Sequence, residues 1–179
     1  MSTDGVFHIG DKVVYPNHGV GVIEQISSRM MGAALEKFYL LKIQSNSVRT
    51  TVLVPFHNVA SVGLRRVVRN GEIQKIVDYL GSGVCASAAD WKDRFRENSE
   101  RMRTGSLLDV AAVLKSLLLL NQQKSLSFRE KKMLERARYL LVSELAMAKN
   151  CEERQVEDLL GKALSPHNLR FPEASDFEA

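Results

Sequence analysis

The chain has 179 residues, 45% of them hydrophobic and 26% charged, with four prolines and a formal net charge of +4. This composition excludes a disordered or low-complexity chain and fits one ordinary domain or two small ones. The basic balance favours phosphate-bearing or acidic partners through a general field, and ordinary solubility charge accounts for it equally well.

The first 64 residues read as strands. Lys12 to Tyr15, Gly21 to Ile26, Phe38 to Ile43 and Thr50 to Val54 are rich in Val, Ile, Leu, Tyr and Thr, and turn chemistry separates them. Pro16-Asn17-His18-Gly19 combines a fixed φ with a permissive glycine, while Asn46-Ser47 and Pro55 bracket the last long strand. Short strands in so small a segment predict a curled sheet or an SH3/Tudor-like β-barrel over 1–70. Beyond Gly71, Ile73, Ile76, Val77 and Leu80 share one helical face, which predicts a short bridging helix. Gly81-Ser82-Gly83 breaks it, and the small-residue stretch to Ala89 places the domain linker within 71–87.

The segment 88–164 reads as an all-α bundle of four helices, completing an α+β chain. Helix starts are expected at Ser106, Ser127 and Asn150, each with an acidic residue three on, and Ser127 with Glu130 is the best capping box. Leu107 to Leu120 is apolar over most of its circumference and is expected at the bundle centre. It is interrupted by Asp109, Lys115 and Ser116 and falls short of the roughly 20 residues a membrane span requires. Leu134, Leu141, Leu145 and Ala148 supply the facing stripe of the next helix, and 165–179 reads as a frayed acidic tail.

Trp91 is the sole tryptophan and opens the helix running to Arg103. Trp91, Phe95 and Met102 can form one apolar stripe packed into the bundle, the reading composition alone favours. A ring in the first turn can also stand proud of the core and wedge against a base step, and periodicity does not separate the two. Lys92, Arg96 and Arg103 share a stripe beside Arg94 and Arg101, and Arg129, Lys132 and Arg136 recur at helical spacing on a later helix. These can track phosphates, although interleaved Glu97, Glu100, Glu130 and Glu135 also suit a solvated face. Arg29, and Arg65, Arg66 and Arg69, can pair with an acidic protein or serve as ordinary surface charge. His8, His18, His57 and His167 show no ligand spacing, and no glycine-rich phosphate loop or nucleophile elbow occurs, so neither catalysis nor a metal or cofactor is expected. Cys85 and Cys151 lack a CxxC companion, and no signal peptide is evident, which predicts incidental thiols and a cytoplasmic protein.

The run Ile9-Gly-Asp-Lys-Val-Val-Tyr-Pro-Asn-His-Gly-Val-Gly-Val-Ile23 resembles the opening of the CarD family of bacterial transcription regulators, shared by the polymerase-binding module of transcription-repair coupling factor. The likeness continues through Val54-Pro55, Val62-Gly63-Leu64-Arg65, Asp90 to Arg103 and Glu130 to Ala146, covering nearly the whole chain. No AT-hook-like Arg-Gly-Arg-Pro or long acidic tract occurs, which suits a short family form. The resemblance implies a barrel that binds the RNA polymerase β subunit and a helical domain (88–164) that contacts promoter DNA at the upstream edge of the -10 region. The implied outcome is a steadier open complex, achieved by a monomer associated with the nucleoid through polymerase, without a membrane. It implies that Arg29 contacts the polymerase and that Leu53 stands at a second contact position that is often Arg. It further implies that Trp91 wedges into the minor groove and that Arg96 meets DNA; Lys92, Arg94, Arg129 and Lys132, taken from the cationic stripes, are expected to complete a largely non-sequence-specific contact. The rival reading is an adaptor of RNA polymerase whose helical domain docks another protein rather than DNA.

Overall fold

A computed structural model describes residues 7–16, 18–45, 48–82, 90–173 and 176; for Ser45 and Trp91 it describes the backbone alone. The chain divides into two compact units, Met1–Val67 and Val68–Ala179, an α+β arrangement.

Among the described residues the first unit is a five-stranded antiparallel sheet. Its strands are β1 (Lys12–Tyr15), β2 (Gly19–Met31), β3 (Ala34–Ser45), β4 (Val48–Pro55) and β5 (Arg65–Arg66), in the order β4-β3-β2-β1-β5. A one-turn helix α1 (Val59–Val62) precedes β5. Period-two alternation puts Tyr39, Leu41 and Ile43 of β3 on one face, where they meet Ile23 of β2 and Val54 of β4 in a buried core with Phe7, Val13 and Leu64. Tyr39 stacks on Phe56 at 4.1 Å, and its hydroxyl accepts the Phe7 N–H at 3.1 Å, so the one polar atom of this ring is satisfied where it is buried. The Pro16–Gly19 turn forms as its residues dictate, with His18 N–H donating to the Tyr15 carbonyl at 2.9 Å and Gly19 at φ 121°. Asn17 of that turn lies outside the described residues. Gly21 is required for a different reason: a Cβ there would lie 2.7 Å from the Lys42 carbonyl oxygen of the neighbouring strand.

The central hairpin is longer than the sequence suggests. β2 and β3 stay paired out to Met31 opposite Ala34, whereas alternation predicts an end at Ile26 and a restart at Phe38. The distal half exposes both faces, including Met30, Met31 and Leu35, so no buried and exposed alternation exists there to be read.

The second unit holds α2 (Asn70–Gly81), α3 (Trp91–Arg103), α4 (Leu107–Gln123), α5 (Phe128–Lys149) and α6 (Glu153–Leu164). α4 is buried on almost every side and packs most extensively on α5, as its unbroken apolarity requires. The helix expected to bridge the two parts instead contributes Ile73, Ile76 and Leu80 to this core. Both of its ends are tied in: the buried Glu144 carboxylate accepts the Val68 N–H at 3.0 Å, and at the far end Lys115, 1% exposed, donates to the Tyr79 carbonyl at 2.7 Å and to both the carbonyl and hydroxyl oxygens of Ser82. A lysine inside an apolar helix is therefore the C-terminal cap of another helix, satisfying carbonyls that have no intrahelical partner. Residues 83–89 of the expected linker, with Cys85, lie outside the described residues.

Two boundary expectations are corrected. Asn150 does not start α6; it ends α5 in the left-handed region (φ 54°), which asparagine tolerates, and Glu152 with Gln155 caps α6 instead. Nor is 165–173 a frayed tail. Leu169 is buried in the helical core, Phe171 lies under the Arg138 guanidinium at 4.6 Å, the Pro172 carbonyl accepts from Arg138 at 3.2 Å, and His167 Nε2 donates to the Gly81 carbonyl at 2.7 Å. Three apolar side chains among the charges suffice to dock the segment; 174, 175 and 177–179 lie outside the described residues.

Candidate functional site

In the helical unit the predicted site residues gather on two helix starts. Asp90 caps α3, its carboxylate accepting the Lys92 N–H at 3.1 Å, which fixes Trp91 as the first helical residue. The Trp91 side chain is outside the described residues, so its packing or exposure is not part of the geometry. Lys92 and Arg96 are exposed. Arg96 pairs with Asp93 at 2.9 Å, and both side chains are more than half exposed, so the pair holds the guanidinium weakly and leaves it exchangeable for a phosphate. Arg103, at the other end of the same stripe, is likewise exposed and sits 3.7 Å from Glu100.

Arg94 departs from the expected phosphate-facing set. It is 8% exposed and turned toward Glu130 at 4.0 Å. Among the described side chains of α3 the buried ones are Arg94, Asn98 and Met102 at four-residue spacing, while Phe95 is half-buried. Hydrophobic periodicity gives no sign of Arg94 and Asn98, because the two are polar.

The start of α5 is the second element. The Ser127–Glu130 capping box forms in full, with the Ser127 hydroxyl accepting the Glu130 N–H at 3.3 Å and Glu130 Oε2 accepting the Ser127 N–H at 2.8 Å. The cap holds Phe128 at the first helical position, 72% exposed, with Lys132 Nζ 4.7 Å from its ring centroid and Arg129 exposed beside it. Phe128 is a candidate site residue absent from the sequence-based expectations. Its signal was present in an aromatic placed directly after a capping serine and before a cation, a position that points off the end of a helix.

In the sheet unit, Arg29 is exposed on the distal half of β2 opposite Glu36, and Leu53, 37% exposed, sits on the edge strand β4 opposite Leu40, which in turn faces Gln25. Directly paired residues share a sheet face, as do residues four apart, so Arg29 and Leu53 lie on one face. Their rows are separated by the four residues from Gln25 to Arg29, about 13 Å at strand rise. A partner contacting both must therefore span the sheet rather than touch a point. Met30, Met31 and Leu35 extend this unit's exposed apolar surface at the hairpin end, and sequence reasoning did not select them. Leu53, expected as a substituted contact position, offers that face an apolar side chain and no charge.

Among the described residues no three His, Cys, Asp or Glu side chains come together in a way that could hold a metal ion, and no described helix is long and apolar enough to cross a membrane.

A sheet unit with a solvent-facing apolar hairpin, followed by a helical unit with cations and an exposed ring at its helix starts, has the parts of a binding protein with two separate contact faces. Residues 7–68 match the family profile described as CarD-like/TRCF RID domain, and residues 75–161 match that of the CarD C-terminal domain. The Bacillus subtilis (strain 168) protein named "Putative transcription factor YdeB" is 30% identical over 152 residues, which is 85% of this chain and 98% of the relative. Those matches define a CarD-like transcription factor with a polymerase-interaction domain. The chain belongs to the CarD family.

Proposed function

We propose that the chain bridges the RNA polymerase β subunit and promoter DNA near the upstream edge of the -10 region and stabilises the open complex, without covalent chemistry. The observation that carries the DNA half is the start of α5, where a largely exposed Phe128 stands among Arg129 and Lys132. Stacking rings and cations are the two components that sequence-tolerant nucleic-acid binding needs. Trp91, Lys92 and Arg96 add a second ring and two more cations from the start of α3. A ring that fills the space of a distorted base step opposes duplex closure only once melting has begun, so the open state gains selectively. Arg94 is left out of this face because it is buried.

The polymerase half rests on the sheet unit, read as a curled, Tudor-like barrel, with Arg29 as its charged contact and Leu53 as an apolar one. The protein acts as a cytoplasmic monomer that reaches the nucleoid through polymerase.

Replacing Trp91 with Ala tests the reading. Open-complex lifetime should fall while polymerase binding and melting temperature hold. If the fold collapses, Trp91 is core; if lifetime is unchanged and the helical unit captures a protein partner, the adaptor reading replaces this one.

A further inference from the structure

The residues assigned to the proposed DNA face, Trp91, Lys92, Arg96, Phe128, Arg129 and Lys132, sit on the first two turns of α3 and α5, and one carboxylate reaches both. Glu130 is 8% exposed, and its capping-box bond fixes its Oε2 on the Ser127 N–H at 2.8 Å. A carboxylate has lone pairs to spare, and Oε1 lies 4.0 Å from the Arg94 guanidinium, with both side chains about nine-tenths buried. Arg94 is three residues after Trp91, so the two positions lie one turn apart on α3; Glu130 lies two residues after Phe128 and two before Lys132. The pair therefore links the turn that carries Trp91 and Lys92 to the turn that carries Phe128, Arg129 and Lys132.

The rest of the α3 seam reinforces the point. An apolar seam can slide and repack, whereas a buried charged group tolerates few partners, so an Arg-Asn-Met seam specifies register more than it adds stability. We infer that Glu130, through Arg94, is the positioning residue of the DNA-contacting surface, holding the start of α3 in register with the start of α5 so that the two aromatic residues and their cations act on one stretch of DNA. The inference rests on the DNA-contact reading above.

The test uses the full-length chain with Glu130→Gln, Arg94→Met and the double variant. Glutamine still closes a capping box, so α5 keeps its start while the charge facing Arg94 is lost. The double variant removes both charges together, which spares the fold an unpaired buried ion. Trp91, the sole tryptophan, reports on the start of α3 without DNA. All three variants should lower Trp91 fluorescence anisotropy and raise its quenching by acrylamide. They should also shorten the open-complex lifetime that the chain confers by about fivefold, a coupling ordinary for contacting residues. The double variant should do so at a melting temperature close to that of the original chain.

Unchanged Trp91 anisotropy and quenching in the double variant overturns the inference, as does a loss of lifetime that merely follows loss of melting temperature across the three variants. The DNA reading fails separately: if Trp91→Ala leaves the lifetime of the unaltered chain's complex intact, that reading falls, and the fluorescence arm, measured without DNA, still decides whether Glu130 positions the turn.

Discussion

Phe128→Ala should separate surface function from stability. The side chain is 72% exposed, so little more than a quarter of its surface is covered. Full burial of a phenylalanine is worth about 1.5–3 kcal/mol, which puts the lost burial at about 0.4–0.8 kcal/mol. Removing the exposed contact with Lys132 adds about 0.5–1 kcal/mol. The melting temperature, followed by circular dichroism, should therefore drop by only a few degrees. Stacking one base on an aromatic ring is worth about 1–3 kcal/mol, so open-complex lifetime under competitor challenge should fall by about five- to 150-fold if Phe128 stacks. Phe128→Tyr should retain the effect and Phe128→Leu should lose it, because a base stacks on a π-face and not on a branched alkyl group. A variant that folds normally and leaves the lifetime unchanged would refute the assignment, and so would full retention by leucine.

Arg29→Glu, on an exposed strand position, should leave the sheet unit folded and weaken pull-down by a polymerase β fragment; unaltered binding removes Arg29 from the contact. Lys115→Met keeps the side chain's bulk but removes the ammonium donor from the part-buried Ser82 carbonyl and from the Tyr79 carbonyl, which keeps the Ser82 N–H and hydroxyl, so urea unfolding should show a loss of about 1–3 kcal/mol. Truncation after Leu164 removes the buried Leu169 and the His167 bond to Gly81, costing about 2–4 kcal/mol in urea unfolding. The Asp11 carboxyl is held below its ordinary range by the His8 N–H at 2.9 Å and then by the Arg66 guanidinium at 3.0 Å. A depressed carboxyl contributes stability that is present above its unfolded value, about 3.9, and lost as pH falls through the lower folded value. Asp11→Asn should therefore lower the melting temperature at pH 7 and flatten the acid limb below pH 4; equal effects at pH 7 and pH 2.5 would contradict this.

Much of the architecture was legible because the signals were local. Proline, glycine and β-branched runs marked the strands, and the Ser106 and Ser127 caps formed at the residues that announced them. What failed to read had non-local causes. The distal hairpin extends beyond the core that gives strands their alternation. Asn150 served either end of a helix equally well until packing decided. Arg94 looked like surface charge because its partner, Glu130, is 36 residues away and had already been claimed by a local capping box. The same blindness concealed Lys115, an interruption of an apolar run whose purpose depends on where α2 ends. Of the candidate DNA face, the cations Lys92, Arg96, Arg129 and Lys132 came from periodicity and proved exposed, while Phe128 required the structure.

The four exposed cations also bound what the helical unit can do alone. If each of Lys92, Arg96, Arg129 and Lys132 neutralises one phosphate, the logarithm of affinity falls with a slope of about -3.6 against the logarithm of salt concentration, and raising salt from 50 to 200 mM weakens binding by about 150-fold. With those four phosphate contacts alone, the proposed DNA binding by the helical unit would be weak at cellular ionic strength. Attachment of the sheet unit to polymerase, as proposed, would change the problem, because tethering raises the effective local concentration into the millimolar range. A weak, salt-sensitive face then suffices where polymerase already stands and does little elsewhere. On the proposed function, promoter selectivity would belong to polymerase, a contact through Arg29 and Leu53 would decide occupancy, and the aromatic residues at the starts of α3 and α5 would decide how long melted DNA stays open.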